Sequence, residues 1–209
     1  MLLLEKLLID VLVMIRHGET DANKEHRYLG RTDEPLCEQA KENLYARVNC
    51  YPKIDILFTS PMKRCIETAG ILYPDHEPIR IDDFREMDFG AFEGKNYKDL
   101  NGDPRYQAWI DSGGTIAFPG GESREAFIAR CMDGMRETVQ SLSRMMVQNN
   151  ELTAGMVVHG GTIMALCSAF GGGDYFDYQV VNGEGYVCKL QWNHEEMQFT
   201  EIEKLLQNN

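Results

Sequence analysis

Long apolar runs are missing from this chain of 209 residues. No stretch approaches the roughly 20 consecutive apolar residues that a membrane-spanning helix needs. The apolar start of the chain is interrupted by Glu5 and Lys6 and lacks the basic region that opens a secretory signal peptide. The six cysteines include no C-x-x-C pair, and the chain is larger than most small disulfide-stapled domains. We therefore expect reduced thiols that mostly pack in the interior, and a cytoplasmic location.

Positive charge is also scarce, since 21 Lys and Arg residues stand against 33 Asp and Glu residues, for a formal net charge of -12. A surface of this sign repels phosphate backbones and anionic lipids at long range. The composition therefore predicts no nucleic-acid partner and no membrane partner, and any anion that the protein binds needs a local positive pocket. The length and the 43% hydrophobic content fit one globular domain over residues 1–209.

Sequence motifs for metal ions and nucleotides are absent as well. There is no H-E-x-x-H, no G-x-x-x-x-G-K-[ST] loop and no G-x-G-x-x-G after a strand. We predict no metal ion and no cofactor, and these absences disfavour kinase chemistry driven by a nucleotide. His26, His76 and His194 stand in polar or turn contexts and are expected at the surface.

What the sequence does contain is a series of apolar strands, each followed by a helix. Three β-prone runs, at residues 11–15, 54–58 and 156–158, have the continuous apolar character of strands buried on both faces. Helices are predicted over 61–72, with Ser60 as N-cap, over 162–170, and over 123–148, where apolar residues recur at spacings of three and four. Two edge strands follow at 185–192 and 197–204. This pattern predicts an α/β sheet with helices on both faces.

Residues 95–122 interrupt this alternation of strands and helices and contain glycines, two prolines and several aromatic residues. Such an excursion is commonly a cover over a site, or a small helical subdomain with its own satellite core, and loop length alone does not choose between them.

Polar residues collect where the predicted strands end. Arg16 and His17 follow the first strand, Arg64 lies at the start of the next helix, and His159 follows the third strand. Ligands of open α/β sheets bind outside the carboxyl ends of the strands, so these side chains are expected to converge as a cationic cup that suits a phosphoryl group. Each of them alone would more often be a structural residue, as would Glu86 in its acidic stretch, so the hypothesis depends on their joint placement.

Five segments of the chain together resemble the histidine phosphatase superfamily, also called phosphoglycerate mutase-like. They are Arg16-His17-Gly18-Glu19-Thr20 with Asn23, Arg27 to Leu36, Thr59 to Ala69, Arg85 to Gly94, and His159-Gly160-Gly161. Their order is that of the family, which makes the match far more specific than a lone motif. The resemblance implies a three-layer αβα sandwich with a mostly parallel, six-stranded sheet, and an insertion at 95–150 that includes the cover of the site.

The resemblance also implies roles for individual residues. His17 matches a nucleophile that forms a phosphohistidine, and Glu86 matches the proton donor. Arg16, Arg64 and His159 match the phosphate clamp, and no metal or cofactor is implied. The implied substrate-binding residues are Asn23, Thr20, Leu29, Gly30 and Gly160. Ala22 stands where the family often has Trp, which puts the substrate's identity in question rather than the chemistry.

The expected function is hydrolysis of a small phosphorylated metabolite. The sequence segments most resemble those of α-ribazole phosphatase and related small-metabolite phosphatases. The mutases of the family are usually longer, which favours hydrolysis, but phosphoglycerate mutase-type phosphoryl transfer remains an alternative. A non-catalytic phosphate-binding module is a third hypothesis. The presence of His17, Glu86 and His159 together argues against it, because a module that only binds has no chemical need for all three.

Overall fold

Six strands form one central sheet in the computed structural model, which describes residues 6–145, 152–193 and 196–205. The strands are β1 (Lys6–Arg16), β2 (Ile56–Thr59), β3 (Ile79–Arg80), β4 (Thr153–Val158), β5 (Gly185–Asn193) and β6 (Glu196–Lys204), and their order in the sheet is β3-β2-β4-β1-β5-β6. The β1–β4, β2–β4 and β2–β3 pairs are parallel, whereas β5 is antiparallel to both of its neighbours. The prediction of a mostly parallel six-stranded sheet is confirmed.

Helices cover both faces of this sheet. They are α1 (Asp21–Lys24), α2 (Glu38–Arg47), α3 (Lys63–Leu72), α4 (Pro104–Asp111), α5 (Arg124–Met145) and α6 (Gly160–Gly171). On one face, Leu12 and Met14 of β1 pack in a core with residues of α5 and α6. On the other face, Val13 and Ile15 pack with residues of α2 and α3. Alternate residues of a strand point to opposite faces, so an uninterrupted apolar strand serves two cores, and the predicted αβα sandwich follows.

Several predicted boundaries differ from the structure. Helix α3 begins at Lys63 after the N-cap position Met62, so the prediction of Ser60 as N-cap was wrong. Ser60 instead faces the histidine that follows β4. The strand predicted at 54–58 occupies Ile56–Thr59, and β5 lies inside the sheet, so that only β6 of the two C-terminal strands is at an edge. Met146 and His194, assigned to the long helix and to the surface, lie outside the described residues.

Three aromatic residues of segment 95–122, Tyr106, Trp109 and Phe118, pack against the core on the α5 and α6 side of the sheet, whereas Tyr97 is exposed. The ring centroids of Trp109 and Phe118 are 4.9 Å apart, and Tyr28 lies 6.2 Å from Trp109 and 5.9 Å from Phe118. Phe118 is buried, and Tyr106 and Trp109 of α4 pack against the same core. These rings therefore extend the main core rather than forming a satellite core of their own, and the structure does not give α4 and its flanking turns a separate core.

All six cysteines are free, and five are buried, with Cys50 exposed, which confirms the prediction of mostly packing thiols. Within residues 6–145, 152–193 and 196–205, none of the helices is both long enough and apolar enough to cross a bilayer.

Candidate active site

The carboxyl ends of three adjacent strands bring the predicted catalytic residues together. Arg16 pairs with Val158 in the β1–β4 register, and Thr59 pairs with Val157 in the β2–β4 register. His17 and His159 therefore leave the sheet side by side, and their ring centroids are 5.2 Å apart. This is the convergence that the parallel order of the strands predicted.

His17 is held in the tautomer that a nucleophile needs. Its Nδ1 lies 2.7 Å from the carbonyl oxygen of Gly18, and because a carbonyl only accepts, Nδ1 carries the proton and Nε2 keeps its lone pair. The side chain is only 4% exposed. Burial, followed by the charges of Arg64 and Arg16, holds the pKa of His17 well below its usual value, so the ring is neutral near pH 7.

His159 is the N-cap residue of α6 and is also buried and neutral. Arg64 Nε donates to its Nδ1 at 3.3 Å, so Nε2 carries the proton and donates to the hydroxyl of Ser60 at 2.8 Å. Burial and then the charge of Arg64 place the pKa of His159 well below the usual value. The thiol of Cys65 lies 3.6 Å from Nε2, and burial raises the pKa of this thiol to about 12, so it remains uncharged.

The two arginines differ in how they are held. Arg64 is completely buried, and besides His159 its guanidinium contacts three backbone carbonyls, those of Thr32 at 2.9 Å, Gly30 at 2.9 Å and Leu29 at 3.4 Å. Arg16 donates from Nη1 to the carbonyl of Val180 at 2.7 Å, but its buried Nε has no partner among the described residues. A buried donor without an acceptor is costly, and a bound oxyanion would satisfy it.

Glu86 lies against the start of α6, where its carboxylate accepts from the backbone of Met87 at 2.9 Å and from Gly161 at 3.3 Å. Burial raises the pKa of this carboxyl, against the opposing effects of the two backbone donors and of Arg64 and Arg16. The direction agrees with the raised pKa expected for a proton donor.

Two neighbouring acids of this stretch, Asp82 and Asp88, are engaged elsewhere. Asp82 pairs with Arg85 at 2.8 Å, and Asp88 pairs with Arg31 at 2.8 Å. Glu86 differs from them because its carboxylate contacts the backbone of Gly161, two residues after His159.

The predicted substrate-binding residues contact either one another or the two arginines. Thr20, which is buried, and Asn23 form a reciprocal capping box on α1, each side chain accepting from the other's backbone N–H at 3.2 Å. Leu29 and Gly30 present their carbonyls to Arg64, as described above. Gly160 lies against Arg16, since a Cβ there would come within 3.3 Å of Arg16 Nε. No substrate contact of these residues is tested by this geometry, so their binding roles stay predictions.

Sequence reasoning missed three supporting residues. Asn182 donates to the carbonyl of His17 at 3.1 Å and to Asn23 at 3.2 Å, so it ties the backbone of His17 to α1. Ser60 was assigned to a helix cap, as noted above. Arg130 of α5 donates to the carbonyls of Asp83, Arg85 and Glu86. The only sequence signals were an Asn before a glycine turn and a charged residue on the amphipathic helix.

An open cavity of about 700 Å³ adjoins the centre on the side of Arg16 and Asn23. Its further walls are formed by Tyr28, Tyr97 and Arg47. Ala22 is not among the lining residues, so the small side chain at this position does not by itself account for the cavity. Within the described ranges, His, Cys, Asp and Glu side chains nowhere gather in the groups of three that a metal ion needs.

Comparisons with known proteins concern the family and the fold of this chain. Residues 12–204 match the family model described as histidine phosphatase superfamily, branch 1. The chain is 33% identical over 166 residues to the protein of Bacillus subtilis (strain 168) named uncharacterized phosphatase PhoE, an alignment that covers 77% of each chain. It is 28% identical over 186 residues to the glucosyl-3-phosphoglycerate phosphatase of Mycolicibacterium vanbaalenii, covering 86% of this chain and 82% of the relative. The crystal structure of the α-ribazole phosphatase from Shigella flexneri has the same fold, with a TM-score of 0.74 at 23% identity over 95% of this chain and 100% of that one.

Proposed function

This chain belongs to the histidine phosphatase superfamily, branch 1, and we propose that it hydrolyses small phosphate monoesters through a phosphohistidine formed on His17. The observation that carries the proposal is the pairing of a neutral His17, oriented by the Gly18 carbonyl, with the unpartnered buried Nε of Arg16. His17 supplies the lone pair that attacks phosphorus, and the Nε of Arg16 is a hydrogen-bond donor that can bind an oxyanion.

The reaction has two steps. In the first, Nε2 of His17 forms a bond to phosphorus, the bond from phosphorus to the ester oxygen breaks, and Glu86 gives its proton to the departing alkoxide. In the second, water attacks the phosphohistidine, passes a proton to the Glu86 carboxylate, and the bond from phosphorus to nitrogen breaks. Arg16 and Arg64 stabilise the charge on the phosphoryl oxygens, and Glu86 returns to its protonated state.

We assign the substrate's leaving group to the cavity of about 700 Å³ that Arg16 and Gly18 line, a volume that suits a small metabolite, although His17 and Glu86 are not among the residues of its walls. Tyr28 and Tyr97 contribute aromatic surface to its walls. This surface, together with the shared fold of the Shigella flexneri α-ribazole phosphatase, supports α-ribazole phosphate as the first substrate to test. Phosphoglycerates belong in the same panel, because mutase-type transfer is the competing activity.

The decisive experiment measures release of inorganic phosphate from p-nitrophenyl phosphate, together with the intact mass of the protein after a rapid quench. We expect one acid-labile phosphoryl group on the wild type and none on His17→Ala. His76→Ala is the matched control, because His76 contacts the backbone carbonyl of Ile54 and takes no part in the site. A phosphoryl group on Ser, Asp or Cys would refute the proposed nucleophile, and phosphate binding without turnover would identify a binding module instead.

A further inference from the structure

Residues 29–32 belong to neither a helix nor a strand, and their backbone is held between two side chains of opposite charge. On one side, the carboxylate of Glu93 accepts from the amides of Gly30 at 3.0 Å and Arg31 at 2.9 Å, and from the hydroxyl of Thr32 at 3.0 Å. On the other side, the carbonyls of Leu29, Gly30 and Thr32 accept from Arg64.

The two sides are joined through the same peptide groups. In the peptide group between residues 29 and 30, the carbonyl accepts from Arg64 and the N–H donates to Glu93. The peptide group between residues 30 and 31 makes the same two contacts. Each of these peptide groups is thereby polarised by an anion at its N–H and a cation at its oxygen, an arrangement in which each hydrogen bond strengthens the next. Glycine at position 30 permits this approach, since a Cβ there would collide with the carbonyl of Met87 and with Glu93 itself.

We propose that Glu93 is a positioning residue for phosphoryl transfer, acting through residues 29–32 on Arg64. Arg64 donates in turn to Nδ1 of His159 and lowers the pKa of both catalytic-site histidines. The inference rests on the proposed phosphatase function, because Arg64 is the group through which Glu93 reaches the reacting phosphate.

The Glu93→Gln variant tests this with little change in shape. One oxygen of the carboxylate becomes an NH₂ group, which faces amide or hydroxyl donors and cannot accept from them. We expect kcat/KM for p-nitrophenyl phosphate to fall roughly 10- to 100-fold, the scale of a small misplacement of a positioned group. The inhibition constant for inorganic phosphate should rise as well, and a mere loss of folded molecules would not change that constant.

A double-mutant cycle separates action through Arg64 from a general structural role. In an Arg64→Lys background, Glu93→Gln should change kcat/KM by less than about twofold, because coupled residues are not additive. An equal loss in both backgrounds, or an unchanged inhibition constant, would overturn the inference. Failure of the wild type to hydrolyse any phosphate monoester would overturn the proposed function instead.

Two further variants complete the test. Glu67→Gln is the matched control, because Glu67 accepts from the amide of Leu36 in the same loop at 3.0 Å without touching residues 29–32, and we expect the wild-type inhibition constant. If Glu93→Gln does not fold, Thr32→Val removes only the hydroxyl contact with Glu93. It should give a smaller loss that again disappears in the Arg64→Lys background, and a loss that persists there would overturn the inference.

Discussion

Replacement of Glu86 by Gln should separate substrates by the quality of their leaving groups. The amide side chain keeps the shape of the carboxyl but has no acidic proton to donate to an alkoxide. An alkyl phosphate needs that proton, whereas the p-nitrophenolate ion departs with little protonation. General acids supply about 10² to 10⁴ in rate, which corresponds to roughly 3 to 5 kcal/mol of barrier. We expect a loss of that size for the alkyl ester and a much smaller loss for the aryl ester.

The structure also indicates how much folding stability Glu86→Gln costs, and this cost is much smaller than the increase in the activation barrier. The Gln oxygen can still accept from the Met87 amide, whereas its NH₂ group meets the donor of Gly161 in place of the 3.3 Å hydrogen bond. Loss of one such bond costs about 1 kcal/mol, and burying a neutral amide in place of a desolvated carboxyl offsets part of this. The activation barrier for the alkyl ester should therefore rise by much more than the free energy of unfolding falls.

The assay compares kcat/KM for the two esters across pH. Burial raises the pKa of Glu86, so the wild type should lose activity toward the alkyl ester as pH rises through that pKa, and Glu86→Gln should lack this limb. Asp88→Asn is the matched control, since Asp88 is engaged with Arg31 and with the amide of Gly90. Equal losses for both esters in Glu86→Gln, with the leaving-group dependence appearing in Asp88→Asn, would show that the acid has been misassigned.

Two further predictions concern metal ions and acid. Activity should survive exhaustive chelation, because arginines rather than a metal supply the positive charge, and loss on chelation with recovery on adding Mg²⁺ or Zn²⁺ would contradict this. The pKa values of His17 and His159 lie well below 6.5, so below that pH the unfolded chain binds more protons than the folded one, and stability should fall as pH drops. Urea unfolding at pH values from 7 to 5 measures how steeply the free energy of unfolding changes with pH. His159→Gln should reduce this slope, and an unchanged slope would refute the contribution assigned to His159.

The sequence was enough to predict those strands and helices whose apolar pattern reflects which residues are buried. Residues 11–15 and 156–158 are apolar without interruption because they lie between two cores, and the amphipathic helix over Arg124–Met145 buries Phe127, Cys131 and Leu142 as predicted. The family segments then placed the site residues at the ends of these strands. Helix α2, by contrast, went unpredicted, because it buries only Ala40 and Leu44 and carries little apolar periodicity.

The supporting contacts could not be predicted, because they depend on backbone groups rather than on residue types. The carbonyls that hold Arg64 come from Leu29, Gly30 and Thr32, and the one that orients His17 comes from Gly18. Any residue has a carbonyl, so no sequence signal marks these positions. The same holds for Ser60, whose place before a proline suggested a cap until the three-dimensional arrangement put His159 within 2.8 Å.

The charge balance of the whole molecule explains why these arginines are held in this way. In a chain with 33 acids and 21 basic residues, an accessible arginine has many carboxylates to pair with. Ion pairs do neutralise many surface arginines, yet neither Arg16 nor Arg64 forms one with a carboxylate in the described part of the chain. Arg64 is held by neutral carbonyls and a neutral imidazole, which orient its charge without cancelling it. Burial, and after it this uncancelled charge, holds the pKa of His17 below its usual value, and the same charge would stabilise an oxyanion, so one arrangement of neutral partners would serve both the proposed nucleophile and the phosphoryl group.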